Sequence, residues 1–276
     1  MPRGDGGRSG AVVPPPEPLP PGVVVADSHC HLDIVGRPVH ETLAEARSVG
    51  VTRVVTIGVD LPSSRWCAET AAEHAGVVAA VAVHPNETGA VTEADLRELA
   101  ALAALPQVRA VGETGLDHYR TSADGWRAQE ESFRAHIGIA KDAGVALVIH
   151  DRDAHDDVLR VLAEEGAPER TVFHCFSGDV AMARLCAAAG YVLSFAGNVT
   201  FSNAGPLREA AAVTPVDQLL VETDAPFLTP MPHRGAPNAP ALIPLTLRLL
   251  AEVRGEDVAA LAAAVDATTT RVFGAL

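Results

Sequence analysis

"GVVVADSHCHLD" (residues 22–33) closes an apolar run with two histidines one residue apart. Side chains alternate faces along a strand, so on a strand His29 and His31 share one face while Cys30 points away. Two imidazoles converging on one point are what a metal ion needs. An H-x-H pair also occurs at ordinary polar strand ends, and the rest of the chain has to separate the two readings.

Short β-branched runs alternate with Ala-, Leu- and Glu-rich stretches of helical period throughout the chain, the pattern of βα units around a parallel sheet. Strands are expected near 23–28, 52–58, 77–83, 108–113, 146–150, 171–175, 191–195 and 218–223. Helices are expected near 39–49, 63–75, 92–104, 125–143, 154–165, 179–189, 203–212 and 240–252, with more helix after 255. The "TEAD" quartet beginning at Thr92 reads as a helix N-cap. His31, Gly58, His84, Glu113, His150, His174, Gly197 and Asp224 mark the strand ends, spaced 23 to 37 residues apart, enough each time for a helix and two loops. Eight such units fit an α/β fold of the (β/α)8 TIM-barrel type, a single domain over residues 23–276, better than an open doubly wound sheet. Such a barrel gathers its chemistry at the C-terminal ends of its strands, where these markers sit.

The chain of 276 residues is 48% hydrophobic but only 4% aromatic, so its core must be built from small aliphatic side chains. Its longest apolar stretches, such as "VVAAVAV" (77–83), fall far short of the roughly 18 residues of a membrane span, and no membrane association is expected. Residues 1–22 are rich in Pro and Gly with no continuous apolar segment, which predicts a disordered tail rather than a secretion signal and a cytoplasmic protein. Four cysteines in a chain of this size do not suggest a disulfide framework. The net charge of −14 argues against a large basic nucleic-acid footprint, yet bound divalent cations can supply the positive charge that phosphate recognition needs.

The polar residues that close the apolar runs form a set: His29 and His31, Glu113 in "AVGETGLD", His150 in "ALVIHDRDAHDD", His174 in "VFHCFSG" and Asp224 in "LLVETDAPFL". Four imidazoles and two carboxylates suit Zn, Mn, Fe or, with more water, Mg. Six ligands exceed what one tetrahedral ion takes, and a carboxylate such as Glu113 can bridge two ions. Related two-metal barrels use a carbamylated lysine as the bridge, but the only lysine, Lys141, precedes the fifth strand, which leaves that part to Glu113. His40, His74, His136 and His155 fall in or beside expected helices and read as surface or packing residues.

"DSHCHLD", "AVHPNE", "VGETGLDHYR", "VIHDRDAHDD", "FHCFSG" and "VETDAPFLTPMPHRGAPN", in this order from about residue 25 onward, resemble the TatD family of metal-dependent deoxyribonucleases, within the amidohydrolase-like hydrolases. The resemblance implies a TIM barrel and two divalent ions (Mg, Mn or Zn), one held by His29, His31, Glu113 and Asp224 and the other by Glu113, His150 and His174. It places His84 at the site, against the scissile phosphate or the attacking water. The chain departs from the family pattern at His118, where Tyr is frequent, and in "APNAP" after "PHRG", which bear on substrate contacts rather than on metal binding.

On this reading Asp224, Glu113 and His84 carry the catalysis, with Asp224 also placed to accept the proton of the attacking water. Arg234 and His233 on the loop after the eighth strand are candidates to hold a terminal phosphate, and Tyr119 to stack on a base. The expected activity is 3′ to 5′ exonuclease action on DNA, single-stranded in the first instance, by a monomer serving repair or turnover. The alternatives keep the site but change the substrate to another ester or amide, such as an aminoacyl-tRNA, or remove turnover and leave a metal-bound binding protein.

Overall fold

The computed structural model describes residues 13–275. Eight strands pair in parallel in sequence order: β1 (Val25–Cys30), β2 (Val51–Ile57), β3 (Val77–Val81), β4 (Val108–Asp117), β5 (Ala146–Arg152), β6 (Thr171–Phe173), β7 (Val192–Phe195) and β8 (Leu219–Val221). A parallel bridge between Cys30 and Ala225, with His31 N–H donating to the Ala225 carbonyl at 2.9 Å, closes β8 onto β1. The expected (β/α)8 barrel is therefore the fold found.

Helices α1 (Val39–Ser48), α2 (Leu61–Glu73), α3 (Glu93–Ala103), α4 (Ala123–Ala143), α5 (His155–Glu165), α6 (Val180–Ala188), α7 (Gly205–Val213) and α8 (Ile243–Arg254) follow the strands in turn, and α9 (Val258–Phe273) ends the chain. Local chemistry sets their starts. Thr92 and Asp95 cap α3 reciprocally, as the sequence predicts, and Asp60 and Ser63 do the same for α2.

Strand alternation sorts the core into two layers. Val55, Ile57, Val78, Ala80, Ala110, Ala146, Val148, Val172, Val192 and Leu220 form the cluster inside the barrel, and Val272 and Phe273 of α9 join it. The intervening strand residues, such as Val54, Ala79, Val111, Leu147, Phe173 and Leu193, belong to the larger layer beneath the helices. Period-two alternation carries the inner register beyond the packed core, from Ala146 and Val148 to His150, from Val172 to His174, and from Leu220 to Glu222 and Asp224. The same pattern that fills the barrel thus aims polar groups into its mouth.

Of the expected tail 1–22, residues 1–12 lie outside the described residues. Nearer the barrel, Leu19 is buried, its N–H donates to the Val49 carbonyl at 3.0 Å, and Arg248 donates to the carbonyls of Glu17 and Pro18. An extended proline-rich segment has no internal hydrogen bonds, so its carbonyls are free for such contacts. Packing against the barrel therefore begins ahead of the expected boundary at Gly22.

Candidate metal centre

Glu113 is the hub. The expected strand ending at residue 113 in fact runs to Asp117, and glycine is the reason. A Cβ on Gly112 would stand 2.5 Å from Val148 Cβ, and one on Gly115, at φ +136°, would stand 2.1 Å from the His150 carbonyl oxygen. These residues let β4 run hard against β5, and the Gly112–Glu113 peptide there is cis.

The two carboxylate oxygens of Glu113 face different partners. Oε1 lies 2.7 Å from both His150 Nδ1 and His174 Nε2 and 3.5 Å from His84 Nε2. Oε2 lies 3.5 Å from His29 Nε2 and 3.8 Å from His31 Nε2. Asp224 Oδ1 completes the second side, 3.4 Å from His31 Nε2 and 3.8 Å from His29 Nε2. All six sequence-derived ligand candidates and His84 thus come together, divided about one carboxylate as a bridge between two ions requires.

The donor set fits divalent cations. His29, His31 and Glu113 form one cluster able to hold an ion, and His84, Glu113 and His150 another. The sharpest sign is His29, whose two ring nitrogens are both buried and both without a hydrogen-bond partner. An imidazole hidden from water and unpaired is costly unless an ion occupies that direction.

Electrostatics agree. Burial opposes the charge on Glu113, but the fields of His174 and His84 and hydrogen bonds from His150 and His174 outweigh it and hold the carboxyl well below the usual range. Burial likewise opposes a charge on Asp224, but the His31 hydrogen bond and the fields of His29, His31 and His174 together outweigh it and keep the carboxyl below its usual range. Burial, with the fields of His150 and His174, lowers His84 more than Glu113 raises it. Its Nδ1 accepts from Asn86 N–H at 3.1 Å, which leaves the proton on Nε2, toward the centre.

Carboxylates beyond these candidate ligands orient them. His174 Nδ1 donates to Glu222 Oε1 at 3.2 Å, and Cys175 N–H shares that oxygen at 2.8 Å. His150 Nε2 donates to Asp117 Oδ2 at 3.3 Å, so the ring presents Nδ1 inward. Asp117 is itself held by Asn86 Nδ2 and by the N–H groups of Tyr119 and Arg120. Asp27, buried beneath His29, accepts from Thr223 N–H and hydroxyl, while Asp224 N–H donates to the His29 carbonyl. These bonds register the end of β1 against the end of β8. The sequence reading missed Asp117, Glu222 and Asp27, although Glu222 and Asp117 stand at even spacing from Asp224 and Glu113.

The substrate candidates sit farther out. Tyr119 is 65% exposed with the Arg152 guanidinium 4.3 Å from its ring centroid. Arg234 is exposed, its guanidinium 4.3 Å from the Phe201 ring centroid, and His233 is half-buried on the same turn. Of the four histidines expected at the surface or in packing, His136 is fully buried, accepting from Val83 N–H and donating to the Ser132 carbonyl.

An eight-stranded parallel barrel whose mouth gathers five imidazoles around a dividing carboxylate defines a metal-dependent hydrolase of the amidohydrolase-like kind. The pattern of TatD-related DNases matches residues 26–274, and the chain belongs to that family. It is 49% identical over 246 residues to an uncharacterized metal-dependent hydrolase TatD of Mycobacterium tuberculosis, covering 85% of this chain and 93% of the relative. It is 34% identical over 241 residues to the 3′-5′ ssDNA/RNA exonuclease TatD of Klebsiella pneumoniae, covering 85% and 91%. Among solved structures, the TatD homologue YJJV of Escherichia coli K12 superposes with a TM-score of 0.84 at 26% identity, covering 91% of this chain and 98% of that one.

Proposed function

We propose that this chain is a two-metal phosphodiesterase that shortens single-stranded nucleic acid from its 3′ end, acting on DNA in the cytoplasm during repair or turnover. The observation that carries the reading is the division of Glu113 between His150 and His174 on one side and His29 and His31 on the other. His29, His31, Glu113 and Asp224 would hold one ion, and Glu113, His150 and His174 the other. Divalent ions bound there supply Lewis-acid charge to the phosphoryl oxygens and make water nucleophilic near neutral pH.

The side chains supply the rest. Asp224, ionised at the mouth, accepts a proton from the attacking water. His84 presents its Nε2 proton beside Glu113 and donates it as a hydrogen bond to a phosphoryl oxygen. Arg152 at the end of β5 and Arg120 and Arg234 on the segments after β4 and β8 are exposed, and none pairs with a carboxylate among the described residues. They offer cationic contacts for a phosphate backbone on a chain whose net charge is −14. Arg234 with His233 holds the terminal phosphate, and Tyr119 stacks on a base on the far side of the mouth. Among the described residues no helix is long and apolar enough to cross a membrane. A single barrel contains every group named, which supports a monomer.

The test is digestion of 5′-labelled single-stranded DNA and RNA by metal-reconstituted protein, with chelator and Asp224→Asn as controls. A ladder shortening from the 3′ end and lost in both controls is expected. Two bound ions per chain with no product from either polymer would overturn the nuclease reading and direct attention to other esters and amides.

A further inference from the structure

Of the seven phenylalanines, Phe133, Phe173, Phe176, Phe195 and Phe273 are buried, Phe201 is half-buried, and Phe227 leaves 52% of its surface in solvent. Exposed apolar side chains are common singly, so exposure alone says little. The setting of Phe227 says more. Its N–H donates to the Asp224 carbonyl at 2.8 Å, and its own carbonyl accepts Asn238 Nδ2 at 2.6 Å. The same buried amide donates to Thr223 at 2.8 Å, so the Phe227 backbone is pinned to the segment that carries Asp224. The ring stands 6.0 Å from the His31 ring, inclined at 72°.

The exposed aromatic side chains are distributed unevenly. Tyr119, Trp126 and Phe227 all follow β4 or β8, strands four apart in a closed sheet of eight and so on opposite sides of the mouth. Trp126 is already engaged, stacked on His118 at 3.8 Å with its Nε1 donating to the Thr121 carbonyl. Tyr119 has a guanidinium over it. Phe227 combines a large open surface with a fixed position beside His31 and Asp224.

We infer that Phe227 is the stacking platform for the base of the nucleotide whose phosphodiester is cut. An aromatic face on a pinned backbone binds any base, because every base has a π-face, but it can take only a base freed from its own stack. Single-strand selection then follows from one side chain at the mouth rather than from a groove too narrow for a duplex. The inference rests on the nuclease reading and adds a contact to it.

The test compares wild type, Phe227→Ala, Phe227→Leu and Phe227→Tyr, all metal-loaded, on two single-stranded oligonucleotides that differ only in whether the 3′-terminal residue carries a base or is abasic. On the ordinary end, Phe227→Ala is expected to raise KM about 5- to 100-fold with kcat unchanged, Phe227→Leu to recover little of it and Phe227→Tyr most. On the abasic end, wild type and Phe227→Ala should have equal KM. Equal KM for wild type and Phe227→Ala on the ordinary end would overturn the inference, as would a KM difference that persists on the abasic end. Metal-loaded wild type that cuts neither oligonucleotide would instead overturn the nuclease reading, and this inference with it.

Discussion

Asp117 Oδ2 accepts a hydrogen bond from His150 Nε2 at 3.3 Å, while the other nitrogen of that ring lies 2.7 Å from Glu113. One imidazole is thus clamped between a carboxylate inside the ligand set and one outside it. Carboxylates that orient a metal-bound histidine are worth about 10- to 100-fold in metal affinity. Asp117→Asn is expected to weaken one of the two bound ions by that factor and leave the other untouched. Stepwise competition with a chelator, followed by metal counting, checks it; equal weakening of both ions would contradict the separation into two sides.

Glu222 offers a contrast between two substitutions. Its Oε1 serves both His174 Nδ1 and the Cys175 N–H. Glu222→Gln keeps an oxygen there and should fold normally with weakened metal binding. Glu222→Ala leaves the half-buried Cys175 N–H without its acceptor and should cost about 1–3 kcal/mol of stability as well. Urea unfolding of the two metal-free variants separates these effects.

Asp224→Asn retains the shape of the side chain and removes its basicity. Loss of a general base lowers turnover by about 100- to 10,000-fold. The expected result is a collapse of kcat on single-stranded DNA with an unchanged circular dichroism spectrum.

Arg234→Ala tests the phosphate clamp. The guanidinium rests on the Phe201 ring and is otherwise exposed, so its removal should leave stability nearly unaltered. KM for an oligonucleotide should rise with kcat preserved, and the rise should shrink as salt is added. An unaltered KM would remove Arg234 from the substrate path.

His136 predicts a pH effect that is independent of the metal centre. Burial pushes its imidazole down from 6.5 to about 4, against a weaker opposing effect of the Ser132 carbonyl. Between these values the unfolded chain binds the proton and the fold does not, so stability falls as pH drops from about 6.5 to about 4. The full loss is about 3 kcal/mol. Asp27, which burial pushes up to about 7, acts in the opposite sense by binding a proton in the fold as pH falls through that value. The comparison is therefore between wild type and His136→Gln, which can still accept from Val83 N–H. Urea midpoints measured from pH 7 to pH 4 should fall less steeply in the variant.

Local patterns determined much of this protein. The alternation of β-branched and helical runs was enough for eight βα units, and the polar residues closing five of those strands named His29, His31, Glu113, His150, His174 and Asp224, because both signals are local to the chain. Tertiary structure decided the rest. The strand expected near 108–113 continues to Asp117, and only the close passage of β4 against β5 shows what Gly112 and Gly115 are for. His136 read as a surface or packing residue of its helix, and only the seating of α4 against the barrel, which brings it to the Val83 N–H, decided for packing. The division of Glu113 between two sides, the clamping of His150 and His174 by Asp117 and Glu222, and the fixed place of Phe227 beside His31 join residues from different strands and loops. Such distances are set by how the barrel closes, and closure is a property of the whole sheet rather than of any one segment.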